Sequence, residues 1–458
     1  MIYALYLFAQ PLAAGWAALE FVYPPEEKTD LAKLLLRGCA AWGLGCGIFA
    51  LLYFCWLLSF PGWMRLYPVL EAAATAALCA AWLASWRRTP AFERSEPSNK
   101  IIFRILSAAL LAEILCALAI FAHAVVVSPH AGFDTWAFWN LRAKIIYTAP
   151  EDWRRIFAGI NWLPNHNNPL FLPLLTARSW TVGGGFSPDA PCAAGLLFLA
   201  GSAAALYAAL SRLKNSETGL LGVIILLGNT RFSWLAAGQL ADIPLAFFML
   251  VSSAFLAAGN EDSPRAALAA GIFAGLAAWT KTEGAVFLFC AGTALILAAA
   301  VFKEGRGRLA LFAAGAAPFL AATAVCNICC RTGGALNYFQ PSPASELLWR
   351  IQTMLGAALA YAASVNCTVV SAALLLVLIP VLGFPAEKAP RRSIFIAGCL
   401  LCLLLAAYGA ACVVTPGDIR TIVIRDSLQR LFAQLWPLAV FAFLLTLPTD
   451  IFRQSNQA

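Results

Sequence analysis

Apolar residues run along this chain in stretches of about twenty, broken by short polar connectors. A helix rising 1.5 Å per residue needs about that many residues to cross a hydrocarbon core roughly 30 Å thick. The alternation of apolar and polar residues that marks a membrane β-barrel is missing from runs such as Ile101 to Val127. The pattern therefore predicts an all-α polytopic membrane protein. Spans are expected near 3–23, 38–60, 66–86, 101–127, 190–211, 219–237, 243–259, 266–280, 284–302, 309–330, 367–384, 394–414 and 436–452, about thirteen in all. Two weaker runs, 168–182 and 347–363, contain Arg178 and Arg350 and read as helices lying in the membrane interface.

Composition narrows the class. The 458 residues are 61% hydrophobic and 12% charged, against roughly a quarter charged in ordinary soluble domains, and the mean hydropathy is +0.77. A soluble globular enzyme is excluded. The net charge of +8 does not point to nucleic acid, because Lys and Arg gather in connectors, where they orient membrane helices. Arg87, Arg88, Arg94, Lys100 and Arg104 form the strongest such marker; Arg212 to Lys214, Lys303 to Arg308 and Lys388 to Arg392 are the others. Placing all four in the cytoplasm puts the N-terminus outside and the C-terminus inside. The polar stretch Ser128 to Ala190 then becomes a large extracytoplasmic loop, on the same side as Asp242, Lys281 and the 415–437 connector. The first apolar stretch has no basic residue before it, which argues against a cleaved signal peptide. Most of the 14 cysteines sit in apolar runs and read as packing residues. Cys326, Cys329 and Cys330 lack the matching ligands of a zinc site. The organisation expected is a three-helix N-terminal extension over 1–100, a core over 101–330 and C-terminal helices over 331–458.

Polar chemistry is sparse enough to stand out. Directly after one span come Asp134, Trp136, Trp139, Asn140, Arg142 and Lys144. An aromatic belt with snorkelling cations accounts for the Trp and basic residues equally well, but not for Asp134 beside a headgroup layer that is often anionic. The loop continues through Trp153, Trp162 and His166. Asp242 opens a helix with Pro244 in its first turn, a normal capping arrangement that leaves its carboxylate open to other work. Arg231 lies near the end of the preceding helix, where a charge asks for a partner. Lys281 and Glu283 stand between two apolar helices with almost no loop. Arg425 and Arg430 precede Trp436-Pro437; outside the cytoplasm, such cations suit an anionic ligand.

These segments carry a resemblance: Gly132-Phe133-Asp134, His166-Asn-Asn-Pro169-Leu170, Leu240-Ala-Asp242-Ile-Pro244-Leu245, Gly275-Leu-Ala-Ala-Trp-Thr280-Lys281-Thr-Glu-Gly284, and Arg430-Leu-Phe-Ala-Gln-Leu-Trp436-Pro437. In order and spacing they resemble the GT-C glycosyltransferases, in particular glycosyltransferase family 39, with its protein O-mannosyltransferases and the aminoarabinose transferase of lipid A. The resemblance covers roughly 101–300 and the last helix. It implies a GT-C-like bundle in the bacterial inner membrane that transfers a sugar, with inversion, from a polyprenyl-phosphate carrier to an acceptor hydroxyl on the extracytoplasmic side. Asp134 matches the first-loop acid and general base, and Asp242 the second acid. Lys281, Arg430 and His166 are the candidate partners of the carrier phosphate. No cofactor and no metal are implied. A single Asp134 stands where protein O-mannosyltransferases have an acidic pair, and three helices precede the matched region; of the acceptors lipid, glycan and protein, both departures count against protein. The alternative is a transporter or flippase of lipid-linked sugars, with charges deep in broken helices.

Overall fold

A computed structural model describes residues 5–85, 90–93, 96–157, 168–258, 264–305, 307–330, 349, 351–352, 355–356, 391–414 and 420–448. The described chain is helical apart from two paired dipeptides, β1 (Lys28–Thr29) and β2 (Ala91–Phe92). The helices are α1 (Gln10–Val22), α2 (Leu31–Ser59), α3 (Tyr67–Ala84), α4 (Lys100–Val127), α5 (Leu141–Thr148), α6 (Phe171–Gly183), α7 (Asp189–Leu213), α8 (Ser216–Leu227), α9 (Thr230–Ala237), α10 (Asp242–Ala258), α11 (Arg265–Thr280), α12 (Thr282–Phe302), α13 (Gly307–Cys330), α14 (Arg391–Val414) and α15 (Arg420–Leu445). Among the described residues, eight helices are long and apolar enough to cross a membrane, or nine when the bent pair α9–α10 is taken as one span. The protein is an all-α, polytopic integral membrane protein.

Three expected elements differ. The helix expected over 219–237 is divided at Gly228 and Asn229, where the Asn229 side chain accepts from Arg231 N and starts α9. Capping by Asn beside a glycine overrides the apolar continuity. The last helix begins at Arg420 and runs through Pro437, so Arg430 stands on a helix rather than in a loop. The run 168–182 forms α6, whose residues Phe171 to Trp180 are all buried. Arg178 does not reach for headgroups: its guanidinium makes a two-pronged pair with Glu71 of α3, at 2.8 Å and 2.5 Å, and donates to Tyr6 O. The span expected at 367–384 lies outside the described residues, as does most of 347–363.

Helix α10 is the axis of the bundle. Every residue from Asp242 to Ala258 is buried, and α7, α11, α14 and α15 pack around it. Its free C-terminal carbonyls, left open by helix geometry, are taken up by α14: Arg392 donates to Leu256 O (2.7 Å) and Ser393 to Ala257 O (2.9 Å). Glu304, in the α12–α13 connector, fixes Arg392 in turn and also pairs with Arg308. Helices α11 and α13 cross closely because both contribute glycine: a Cβ on Gly271 would lie 1.9 Å from Phe312 O, and one on Gly315 2.2 Å from Leu268 O. Small residues at such crossings let backbones approach and gain dispersion energy without help from water.

Candidate functional site

The site forms where α10 begins. Between α9 and α10 the chain reverses by 119°, with Gln239 in the left-handed region at φ 55°, an uncommon conformation for a residue with a side chain. The loop carrying Asp134 is fastened to this elbow. Thr135 Oγ1 donates to Gly238 O (2.5 Å), Asn140 Nδ2 to Gln239 Oε1 (2.8 Å), and Gln239 Nε2 to Pro129 O (3.1 Å). The two acids are thereby brought side by side although one follows α4 and the other opens α10.

Arg430 joins them. One guanidinium nitrogen lies 2.6 Å from Asp134 Oδ2 and the other 2.7 Å from Asp242 Oδ2. Asp242 also accepts from Lys281 Nζ (3.2 Å) and from Gln434 Nε2 (2.5 Å) on its second oxygen. Gln434 follows Arg430 by one turn, so both face the same acid, and its own carbonyl accepts from Tyr408 (3.3 Å). The carboxylates differ in access: the Asp242 side chain is fully buried, and that of Asp134 is 40% exposed.

Lys281 owes its place to a break of one residue. It is extended (φ −155°, ψ 156°) between α11 and α12, and the turn is so tight that a Cβ on Gly284 would fall 1.8 Å from Ala277 O. This explains a glycine right after the charged residues. Lys281 pairs with Glu283 (2.7 Å) as well as with Asp242, and Thr282 donates to Asn168 Oδ1 (3.3 Å).

A cavity of about 190 Å³ opens onto Asp134, Lys281, Glu283 and Arg430, with Trp139 and Phe138 as an aromatic wall and Asn168, Thr282 and Gln434 as further polar groups. Two carboxylates line it, and with the buried Asp242 behind them three carboxylates surround two cations. Arg430 Nε is buried with no partner among the described residues.

Other expected site residues lie elsewhere. Arg142 is buried and donates to Asn168 O (3.4 Å), bracing the cavity from behind. Lys144 sits over the Phe186 ring and Arg231 over the Trp234 ring, as cations favour π faces, and neither lines the cavity. Trp136 is half-exposed against Phe133. His166 is outside the described residues; Arg425 lies on the backbone of α15, its side chain outside the described set. Gln434, Asn168 and Gln239 escaped the sequence reading. Asn168 and Gln434 left a trace as polar residues inside the segments His166 to Leu170 and Arg430 to Pro437, but were given no role.

Compared with known proteins, the chain matches no family model, no curated protein and no solved structure.

Proposed function

We propose that this protein is an inverting glycosyltransferase that moves a sugar from a polyprenyl-phosphate carrier to an acceptor hydroxyl, with its site on the extracytoplasmic face of a bacterial inner membrane. The observation that carries the reading is the asymmetric pair of acids bridged by Arg430: one carboxylate open to the cavity, the other sealed and committed to cations. The resemblance to GT-C glycosyltransferases of family 39 points the same way.

In this reaction Asp134 takes the proton of the acceptor hydroxyl as its oxygen attacks the anomeric carbon. The bond from that carbon to the carrier phosphate breaks, and the electron pair leaves with the phosphate. Lys281 and Arg430 stabilise the negative charge that develops there, an effect strongest in a site with little water. Three carboxylates against two cations disfavour an added phosphate. Glu283, the more exposed partner of Lys281, is the group that gives way when the carrier enters. Arg430 Nε supplies a further donor. Asp242 stays buried and holds both cations in position. Trp139 offers a flat apolar face to a sugar ring.

The second reading, a transporter or flippase of lipid-linked sugars, draws on the bent pair α9–α10 with Asp242 at its break, since broken helices bind substrates in many transporters. Mass spectrometry of carrier lipids and envelope glycans in a deletion strain separates the two. A transferase leaves its sugar-loaded carrier to accumulate and one glycan or glycolipid short of a sugar, and Asp134→Asn fails to restore it. If Asp134→Asn restores the product, the base assignment fails; if no covalent product changes while carrier sidedness does, the transporter reading stands.

A further inference from the structure

Asp242 meets three donors with two oxygens, and the three are not held alike. Arg430 reaches Oδ2 at 2.7 Å. Gln434 Nε2 and Lys281 Nζ share Oδ1, and the amide has the nearer place, 2.5 Å against 3.2 Å. Lys281 stands closer to Glu283, at 2.7 Å; the Glu283 side chain is 23% exposed, whereas that of Asp242 is fully buried. The ammonium thus leans on the partner that can move away.

The neutral competitor is itself oriented from behind. A carboxylate only accepts hydrogen bonds, so Gln434 turns its Nε2 to Asp242 and its Oε1 away. Gln434 is fully buried, and a buried carbonyl oxygen without a donor is costly; the Tyr408 hydroxyl supplies one at 3.3 Å. Tyr408 is buried on α14, about 24 Å along that helix from Arg392 at 1.5 Å per residue, and Arg392 holds the far end of α10. One helix therefore reaches both ends of α10, directly at one and through Gln434 at the other. Gln434 lines the cavity and Tyr408 does not.

We propose that Gln434, oriented by Tyr408, is a positioning residue that keeps Lys281 from closing on Asp242 and so leaves its ammonium available to an anion in the cavity. Without the amide, the sealed carboxylate draws on its remaining donors. Arg430 is already in full contact, whereas Lys281 has slack, since a charge-assisted N–H···O bond settles at about 2.7–2.9 Å. Lys281 then closes on the buried acid and is tied up within the protein. The bearing on the carrier phosphate rests on the transferase reading; the competition for Oδ1 does not.

Carbamylation by cyanate tests this on the full chain in detergent. The reagent is small, reacts with the unprotonated amine, and is read by peptide mass spectrometry as the ratio of Lys281 to the exposed Lys144 in the same sample. Gln434→Met keeps the length and removes the donor, and lowers the ratio about tenfold, the effect of one hydrogen bond to a charged group. Tyr408→Phe lowers it less, and the double variant matches Gln434→Met, because Tyr408 works through an amide no longer there. Loosened packing would raise the ratio by opening Lys281 to the reagent, so the sign separates positioning from a structural role. If Gln434→Met does not fold, Tyr408→Phe alone decides. A ratio that stays or rises overturns the proposal, and an additive fall in the double variant overturns the part given to Tyr408. In the same proteins, affinity for a polyprenyl phosphate falls in the same order as the ratio. A falling ratio with unchanged affinity upholds the positioning and overturns the assignment of Lys281 to the carrier phosphate.

Discussion

Asp134 and Asp242 are held to a common guanidinium, that of Arg430, at 2.6 Å and 2.7 Å, yet only Asp134 meets the cavity. One charge pattern therefore yields two unlike acids. The buried one cannot exchange its partners without leaving a charge stranded, whereas the open one can trade its cation for a substrate.

That difference sets the first expectation. Asp134→Asn keeps shape and hydrogen bonding but cannot take a proton, so turnover of a lipid-linked sugar onto a hydroxyl acceptor should fall by about 10² to 10⁴. Carrier affinity, measured in the same reconstituted protein, should not fall, since the change also relieves Arg430 of a charged partner. Unchanged turnover would remove Asp134 from the chemistry.

Lys281→Ala should behave differently. A cation touching phosphate acts on the bound carrier and more strongly as charge builds on the leaving group, so both carrier binding and turnover should drop. Glu283→Gln, which frees Lys281 from the less buried of its two partners, should instead tighten carrier binding. A titration of carrier against the three variants reads the order directly.

The pair Glu71–Arg178, fully buried on both sides, gives a stability expectation. Arg178→Ala leaves a carboxylate without its cation and should cost about 3–5 kcal/mol, whereas Glu71→Leu with Arg178→Met should cost far less, since replacing a whole buried pair by apolar groups is often neutral. Thermal unfolding in detergent compares them. Equal losses would mean that packing, not charge, dominates there.

Glu304 gives a pH dependence. Burial alone would raise its carboxyl, but the hydrogen bonds and charges of Arg392 and Arg308 outweigh burial and hold it below its ordinary 4.5. A depressed acid stabilises the fold above its unfolded-state value and loses that contribution as pH falls through the folded-state value. The melting difference between wild type and Glu304→Gln should thus be full near neutral pH and shrink below about 4.5. A difference that grows on acidification would contradict the pairing.

The sequence by itself determined the class of this protein and the places where polarity interrupts it. Runs of apolar residues admit helices across a membrane and little else, because backbone groups must be satisfied within the segment; α2, α4, α7 and α12 follow from that alone. Asp134, Asp242, Lys281, Glu283 and Arg430 were legible one by one, as charges in surroundings where a charge is costly. Which of them meet was decided in three dimensions. The break at Lys281 was legible as a gap between two apolar runs, but the close backbone approach at Gly284 that sets its angle, and the left-handed turn at Gln239, were not. Arg178 and Glu71 illustrate the same limit: each alone suggests an exposed side chain, and only the packing of α6 against α3 shows that they neutralise one another. Arg231 and Lys144, equally prominent as charges, found aromatic faces instead of the cavity. Local pattern sets what each segment buries, but the partner of a buried charge is a long-range contact, and only tertiary packing chooses it.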